Sequence, residues 1–158
     1  MKMLEARVPP PLIVILFGVV MWLATRYLPA PLFLAESSEE SWRYPLMIAL
    51  LLVAVFIFIN AVMTFKKAKT TINPHTPSKS STLVTSGVFR FSRNPLYLAM
   101  LLILIGWGLW LGSGISILLS AGFFLYIDRL QIIPEERALQ TIFGDEFIDY
   151  KQRVRRWL

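Results

Sequence analysis

The sequence contains no cysteine and a single histidine, His75, and both facts restrict the chemistry open to it. Without cysteine there is no disulfide framework, no thiolate nucleophile and no cysteine metal site. One histidine cannot build a multi-histidine metal centre within one chain. We therefore expect a protein that works without a metal.

Charged residues are scarce within four long apolar runs. These runs lie at about 12–28, 44–65, 96–111 and 115–133. With 56% hydrophobic residues among 158, the chain is predicted to be a single all-α integral membrane domain, 1–158, with the runs as four transmembrane helices. The turn between the last two runs, Gly112-Ser113-Gly114, predicts a tight helical hairpin.

Basic residues are concentrated after the second apolar run and in the last part of the chain, whereas Arg43 between the first two runs accompanies three glutamates. Lysine and arginine favour the cytoplasmic side of a membrane. This asymmetry predicts a multi-pass protein of a prokaryotic inner membrane, with both termini and the active site cytoplasmic. Because the net charge of +6 is spread over these short segments, we expect no nucleic-acid partner.

A polar segment at 81–97 adjoins the third apolar run and combines glycine, basic residues, aromatics and a proline. Pro95 favours a helix start, whose first amides are free to meet a ligand. Gly87 allows close approach of the backbone or a positive φ. Together with Arg93, these features indicate a place where a carboxylate could bind.

A second polar cluster, 128–137, ends the fourth run, where ionisable groups are costly unless they are paired or face a polar cavity. On a continuous helix Asp128, Gln131 and Glu135 share one face, and Arg129 and Glu136 share the next. We expect the two polar clusters to meet at the membrane surface and form one active site. The alternative is that Arg129 extends to the headgroups and Asp128 pairs with a lysine.

Interfacial helices are predicted at 134–158. Pro134 favours a new helix start, and Gly144 favours a stop before a second short helix. This last helix is basic, with an apolar stripe, and such helices lie on a membrane surface. The stripe consists of Phe147, Tyr150, Val154 and Trp157.

Several motifs in this order resemble the isoprenylcysteine carboxyl methyltransferase family and the phospholipid methyltransferases of the same superfamily. They are Leu83-Val84-Thr85-Ser86-Gly87, Arg93-Asn94-Pro95-Leu96-Tyr97, Glu135-Glu136-Arg137-Ala138-Leu139, Phe143-Gly144 and Tyr150. The resemblance covers roughly 80–157. It implies an integral membrane enzyme that uses S-adenosylmethionine, yields S-adenosylhomocysteine and methylates a lipid-borne group. Residues 1–65 would be a two-helix anchor and 80–158 the catalytic half.

The same resemblance implies roles for particular residues. Cofactor binding would fall to Leu83, Val84, Gly87, Arg93, Asn94, Pro95, Tyr97, Glu135 and Glu136. Catalysis would involve Arg93, Asn94, Tyr97 and Glu135, and the substrate would meet Asp128 and Arg129. The family often has histidine at the positions of Asn94 and Ser81. Asparagine cannot act as a base near neutral pH, so proton transfer by histidine at these positions is excluded.

The acceptor stays open at this point. A carboxylate needs no base and would be oriented by Arg93 or Arg129, whereas an amine needs Asp128 or Glu135 as a base. Two other classes compete with a methyltransferase. One is a relative of the NADPH-dependent sterol reductases, which are generally much larger. The other is a small four-helix transporter or assembly factor, which would concentrate charge at mid-membrane.

Overall fold

A computed structural model of the chain describes residues 8–28, 42–68 and 82–158, and within these ranges all regular structure is helical. The predictions that concern His75 and Ser81 fall outside the described residues. The six α-helices are α1 (Pro10–Tyr27), α2 (Arg43–Lys67), α3 (Pro95–Leu111), α4 (Gly114–Ile127), α5 (Ile133–Phe143) and α6 (Asp145–Arg153). A 3-10 turn at Gly87–Arg90 precedes α3, and a π-helical segment at Asp128–Ile132 joins α4 to α5.

Three helices are long and apolar enough to cross a membrane: α1, α2 and the continuous helix Gly114–Phe143. Helix α3 is also apolar but has 17 residues. At 1.5 Å per residue it is about 25 Å long, slightly less than the hydrocarbon thickness of about 30 Å. The fold is therefore an all-helical membrane fold, whereas the count of four spans and the orientation stay predictions.

The long helices form one bundle in which α2 packs on α3, and α1 packs on both α3 and α4. Apolar side chains from α1, α3 and α4 fill its centre, among them Met21, Leu104 and Phe123. Because neighbours along the chain run antiparallel, the starts of α1 and α3 meet the ends of α2 and α4. This end of the bundle, called the site end below, carries both predicted polar clusters.

The predicted hairpin is confirmed. Helix α3 ends at Leu111, the next residue, Gly112, adopts a left-handed conformation (φ 63°), and α4 begins at Gly114. The guanidinium of Arg43, at the start of α2, lies against Gly112 where a side chain would otherwise project. The turn therefore depends on glycine for its backbone conformation and for the space that Arg43 occupies.

Replacing Gly112 with alanine is expected to lower the free energy of unfolding by about 1–3 kcal/mol, because the left-handed backbone strains any side chain and the new methyl group displaces Arg43. Unfolding in detergent micelles, followed by circular dichroism, measures the change. Gly18→Ala is the matched control, since no heavy atom lies within 4 Å of its added methyl group. Equal stability of the Gly112→Ala protein and the wild type would contradict this account of the turn.

Pro134 lies in the first turn of α5, as predicted, but α5 continues α4 and is not a separate helix. The helix runs without interruption from Gly114 to Phe143, and its backbone widens to a π-helical turn at Asp128–Ile132, which ends two residues before the proline. Proline lacks an N–H, and its ring crowds the carbonyl four residues earlier, so a regular α-helix would be strained there. A single π-helical turn accommodates this locally and shifts the register of the residues that follow.

The prediction that the last helix rests its apolar stripe on the membrane is wrong. Phe147, Tyr150 and Val154 are buried within the protein, in a cluster with Ala61 of α2 and Phe89 of the 3-10 turn. The spacing of the stripe correctly indicated a buried face, but the same spacing arises whether lipid or protein covers it.

Trp157, the last residue of the predicted stripe, also contacts other parts of the protein. Its ring lies 4.7 Å, centroid to centroid, from that of Phe124 in α4. Its indole N–H donates to Asp128 Oδ1 (3.1 Å). Helix α6 has already ended at Arg153, so residues 154–158, called the tail below, run back across the site end of the bundle.

Candidate active site

The two polar clusters predicted from the sequence meet at the site end in a network of four ionic side chains. Arg93 donates from Nε (3.2 Å) and Nη2 (2.6 Å) to Glu136 Oε1. Arg156 of the tail donates to both oxygens of the same carboxylate, at 3.3 Å and 2.7 Å. Its Nη1 also reaches both oxygens of Asp128, at 3.3 Å and 3.2 Å. Two cations and two anions therefore balance each other.

The start of α3 is also bonded to backbone carbonyls of the last residues. Arg93 Nη1 donates to the carbonyls of Lys151 and Val154, and the Arg93 amide donates to that of Arg155 (3.0 Å). The side-chain amide of Asn94 donates to the carbonyl of Arg156 (3.0 Å). Asn94, which stands where the family often has histidine, thus joins α3 to the tail.

Ion pairing keeps this network charged, although its side chains are partly removed from water. The side chains of Arg93 and Glu136 are each only 9% exposed, and that of Arg156 is 34% exposed. The hydrogen bonds that Arg156 donates to Glu136 raise the pKa of its guanidinium, and Asp128 adds to the effect. Both oxygens of Glu136 are occupied by arginine donors, so this carboxylate is a structural partner of the two arginines.

A cavity of about 330 Å³ opens beside this network, between the start of α1, the end of α2 and the start of α3. Its walls are mostly apolar and aromatic, and its charged members are Arg93 and Glu135. The lining residues are Pro10, Pro11, Phe58, Val62, Phe65, Phe89, Arg93, Asn94, Pro95, Leu96, Tyr97, Met100 and Glu135. Small-molecule sites have this character and begin at about this size.

Glu135 and Tyr97 form the polar pair of the cavity. The Tyr97 hydroxyl donates to Glu135 Oε2 at 3.1 Å. Within the described parts of the chain, no hydrogen bond reaches Glu135 Oε1 and no cation pairs with this carboxylate. Arg93, the other charged residue of the wall, has all three guanidinium nitrogens bonded to acceptors. Among the described residues, the cavity therefore presents one carboxylate without a cationic partner.

Glu135 and Glu136 have different surroundings because they are consecutive residues of one helix. Neighbours on a helix point about 100° apart. Glu135 thus faces Tyr97 and the cavity, while Glu136 turns toward Arg93 and Arg156. The sequence alone does not distinguish the two glutamates.

The structure brings some of the predicted site residues together and leaves others apart. The cavity is lined by Arg93, Asn94, Pro95, Tyr97 and Glu135. Glu136 and Asp128 belong to the ionic network, and Arg129 is exposed to the outside.

The predicted cofactor segment before the 3-10 turn lies away from the cavity. Val84 is buried in the cluster around Phe147, and Leu83 packs against that cluster. Gly87 has a positive φ of 60°, as its sequence context suggested, and lies against Thr64 of α2.

Sequence reasoning missed Arg156 and the aromatic walls. Arg156 follows Arg153 and Arg155 closely, with no spacing that singles it out. Phe58 and Phe65 lie seven residues apart on α2, so they share a face, but the same spacing is typical of ordinary packing. Only the fold shows that they line a cavity.

With this geometry in view, comparison with known proteins identifies the family. The sequence model described as "Phospholipid methyltransferase" matches residues 42–146, well over half of the chain. This chain belongs to the phospholipid methyltransferase family. An uncharacterized protein from Haemophilus influenzae is 51% identical over 63 residues, which are 40% of this chain and 100% of that protein.

Membership of this family supports the predicted resemblance and indicates a membrane methyltransferase rather than a reductase or a transporter. The matched range contains both the start of α3 and the glutamate pair, and it ends before the tail. No group of three or more histidine, aspartate or glutamate side chains that could hold a metal is found among the described residues.

Proposed function

We propose that this protein transfers a methyl group from S-adenosylmethionine to the amine of a membrane lipid. The observation that carries the proposal is Glu135, a carboxylate that is bonded to Tyr97 and has no cationic partner among the described residues, in a mostly apolar cavity. Family membership supports methyl transfer, and the cavity supports a ligand with a cationic and a lipophilic part.

The residues of the cavity fit a cationic cofactor. When bound, S-adenosylmethionine supplies a methyl group on a positively charged sulfur. Aromatic rings attract such a charge, and Phe65, Phe89 and Tyr97 all line the wall. Glu135 adds a carboxylate, and the segment Arg93–Tyr97 also lines the cavity. Leu83, Val84 and Gly87 lie outside this cavity, so the proposal does not rest on them.

An amine suits the cavity better than a carboxylate as the acceptor. A carboxylate would need a free cation, but the guanidinium of Arg93 is already bonded to Glu136 and to backbone carbonyls. Arg129 is exposed and does not line the cavity. A lipid ammonium, in contrast, would meet Glu135, whose Oε1 can accept its proton. The nitrogen lone pair then becomes available to bond the methyl group.

The apolar walls account for a lipid as the carrier of this amine. Phe58, Val62 and Met100 line the cavity from helices that belong to the bundle, so an alkyl chain can lie along them. Burial of apolar surface contributes about 25 cal/mol per Å². A short hydrophilic amine would lack this contribution and would bind weakly.

Purified protein in detergent tests the proposal in two steps. Calorimetric titration with S-adenosylhomocysteine is expected to show binding to a single site. Methyl-labelled S-adenosylmethionine is then supplied with phosphatidylcholine vesicles containing either phosphatidylethanolamine or palmitic acid. We expect label in the amine lipid and none in the acid. Absence of binding would overturn the choice of cofactor, and label in palmitate would overturn the choice of acceptor.

A further inference from the structure

We propose that Arg156 is a positioning residue of this enzyme, which holds Glu135 at the cavity although it does not line the cavity itself. The inference rests on the proposed function for its catalytic readout. It concerns a residue beyond the family match, which ends at residue 146.

The contacts of Arg156 connect three separate elements. Its guanidinium bonds Glu136 at the start of α5 and Asp128 in the π-helical segment. Its backbone carbonyl accepts a hydrogen bond from Asn94 (3.0 Å) and a longer one from Ser92 (3.5 Å), both just before α3. One tail residue therefore joins the two stretches of chain that supply the polar side of the cavity.

These bonds set the position of Glu135 through its neighbour. Glu136 is held by Arg93 from one side and by Arg156 from the other, which fixes the rotation of the helix at that turn. Glu135 is the preceding residue, and Tyr97 is one turn after Asn94. When the helix rotation and the start of α3 are both fixed, the bond between Tyr97 and Glu135 is aligned.

The planar guanidinium group of arginine, with donors on three nitrogens, is needed at this position. Arg156 uses Nη2 and Nε for Glu136 and Nη1 for Asp128. A lysine carries the same charge on one nitrogen and cannot reproduce this two-sided geometry. Compared with Arg156→Gln, Arg156→Lys should thus restore the charge balance and much of the stability. It should not restore the alignment of Tyr97 with Glu135.

The test compares Arg156→Gln and Arg156→Lys with Arg155→Gln, a matched control whose exposed side chain lies one residue away. We expect kcat for labelled methyl transfer to fall about 10- to 100-fold in both Arg156 variants, the range that displacement of a reacting group causes. KM for the vesicle lipid should change less than threefold. Arg156→Lys should unfold near the wild-type midpoint, and Arg155→Gln should match the wild type throughout.

A second measurement does not depend on methyl transfer. Since the chain has no cysteine, nitroxide labels can be placed at Leu118→Cys and Leu158→Cys, both 70% exposed in the native protein. Electron-spin distance measurements should give a narrow distribution in the wild type and in Arg155→Gln. Arg156→Gln should broaden it.

The outcomes separate the two proposals. Wild-type kcat in Arg156→Lys, or an equal loss in Arg155→Gln, overturns the positioning role. An unchanged distance distribution in Arg156→Gln does the same. If the wild type neither binds S-adenosylhomocysteine nor transfers methyl groups, the proposed function fails, and the distance measurement alone then decides whether Arg156 positions the tail.

Discussion

Replacing Glu135 with glutamine is expected to lower kcat for methylation of the amine lipid by about 100-fold or more, the usual contribution of a positioned base. Glutamine preserves the size of the side chain and can still accept from the Tyr97 hydroxyl, but it cannot take a proton from an ammonium. The measurement is initial-rate methyl transfer to vesicles that contain phosphatidylethanolamine, at saturating S-adenosylmethionine.

Two further variants are compared with Glu135→Gln. Tyr97→Phe retains the ring and removes one hydrogen bond to Glu135, so it should cost less than Glu135→Gln. Glu146→Gln neutralises an exposed carboxylate in the first turn of α6 and should have wild-type activity. If Glu135→Gln keeps its kcat but binds S-adenosylhomocysteine at least tenfold more weakly, Glu135 contacts the cofactor rather than the acceptor.

The helical framework could be predicted closely because it rests on local features. Long uncharged runs define the helices, and prolines at the starts of α1 and α3 and glycines at 112 and 144 mark their limits. These signals depend on backbone chemistry within a few residues. The sequence also predicts that the two polar clusters meet at the site end, because helices of alternating direction place both clusters at the same side of the bundle.

Features that depend on register could not be predicted. The expected alignment of Asp128 with Glu135 assumed a regular α-helix, but the π-helical segment between them changes the rotation. The apolar stripe of α6 likewise had two potential partners, lipid or protein, and its spacing is the same for both. In each case the decisive contact comes from a residue distant in the sequence.

The adjacent glutamates show most clearly that the sequence does not determine the partner of each side chain. The family resemblance implies that both hold the cofactor or order the site, and that Arg93 meets the opposite charge of the cofactor. In the folded chain Glu136 and Arg93 bond each other at 2.6 Å, and among the described glutamates Glu135 presents a free oxygen to the cavity. This separation predicts different consequences for the same substitution at consecutive positions.

Replacing Glu136 with glutamine is expected to reduce the free energy of unfolding by about 2–4 kcal/mol. Removing one partner of a buried ion pair typically costs about 3–5 kcal/mol, and we expect somewhat less because the Arg156 side chain is 34% exposed. The neutral side chain leaves Arg93, which is 9% exposed, facing Arg156 without the anion between them. Titration with sodium dodecyl sulfate in mixed micelles, followed by circular dichroism, measures the loss.

Glu135→Gln is the matched control, because it neutralises the adjacent carboxylate, which is bonded to Tyr97 and to no arginine in the part of the chain that the structure describes. Its unfolding midpoint should stay close to that of the wild type while its activity falls. An equal midpoint in Glu136→Gln and the wild type would show that the ionic network contributes little to stability.

The double variant Glu136→Gln with Arg156→Gln identifies the source of the loss. If unbalanced positive charge is the cause, removal of the second arginine relieves the repulsion on Arg93, and the double variant is at least as stable as Glu136→Gln alone. If lost hydrogen bonds are the cause, the double variant is less stable than Glu136→Gln alone, because it also loses the bonds from Arg156 to Asp128. We expect the first result, because the guanidinium of Arg93 keeps its bonds to the carbonyls of Lys151 and Val154 in every variant.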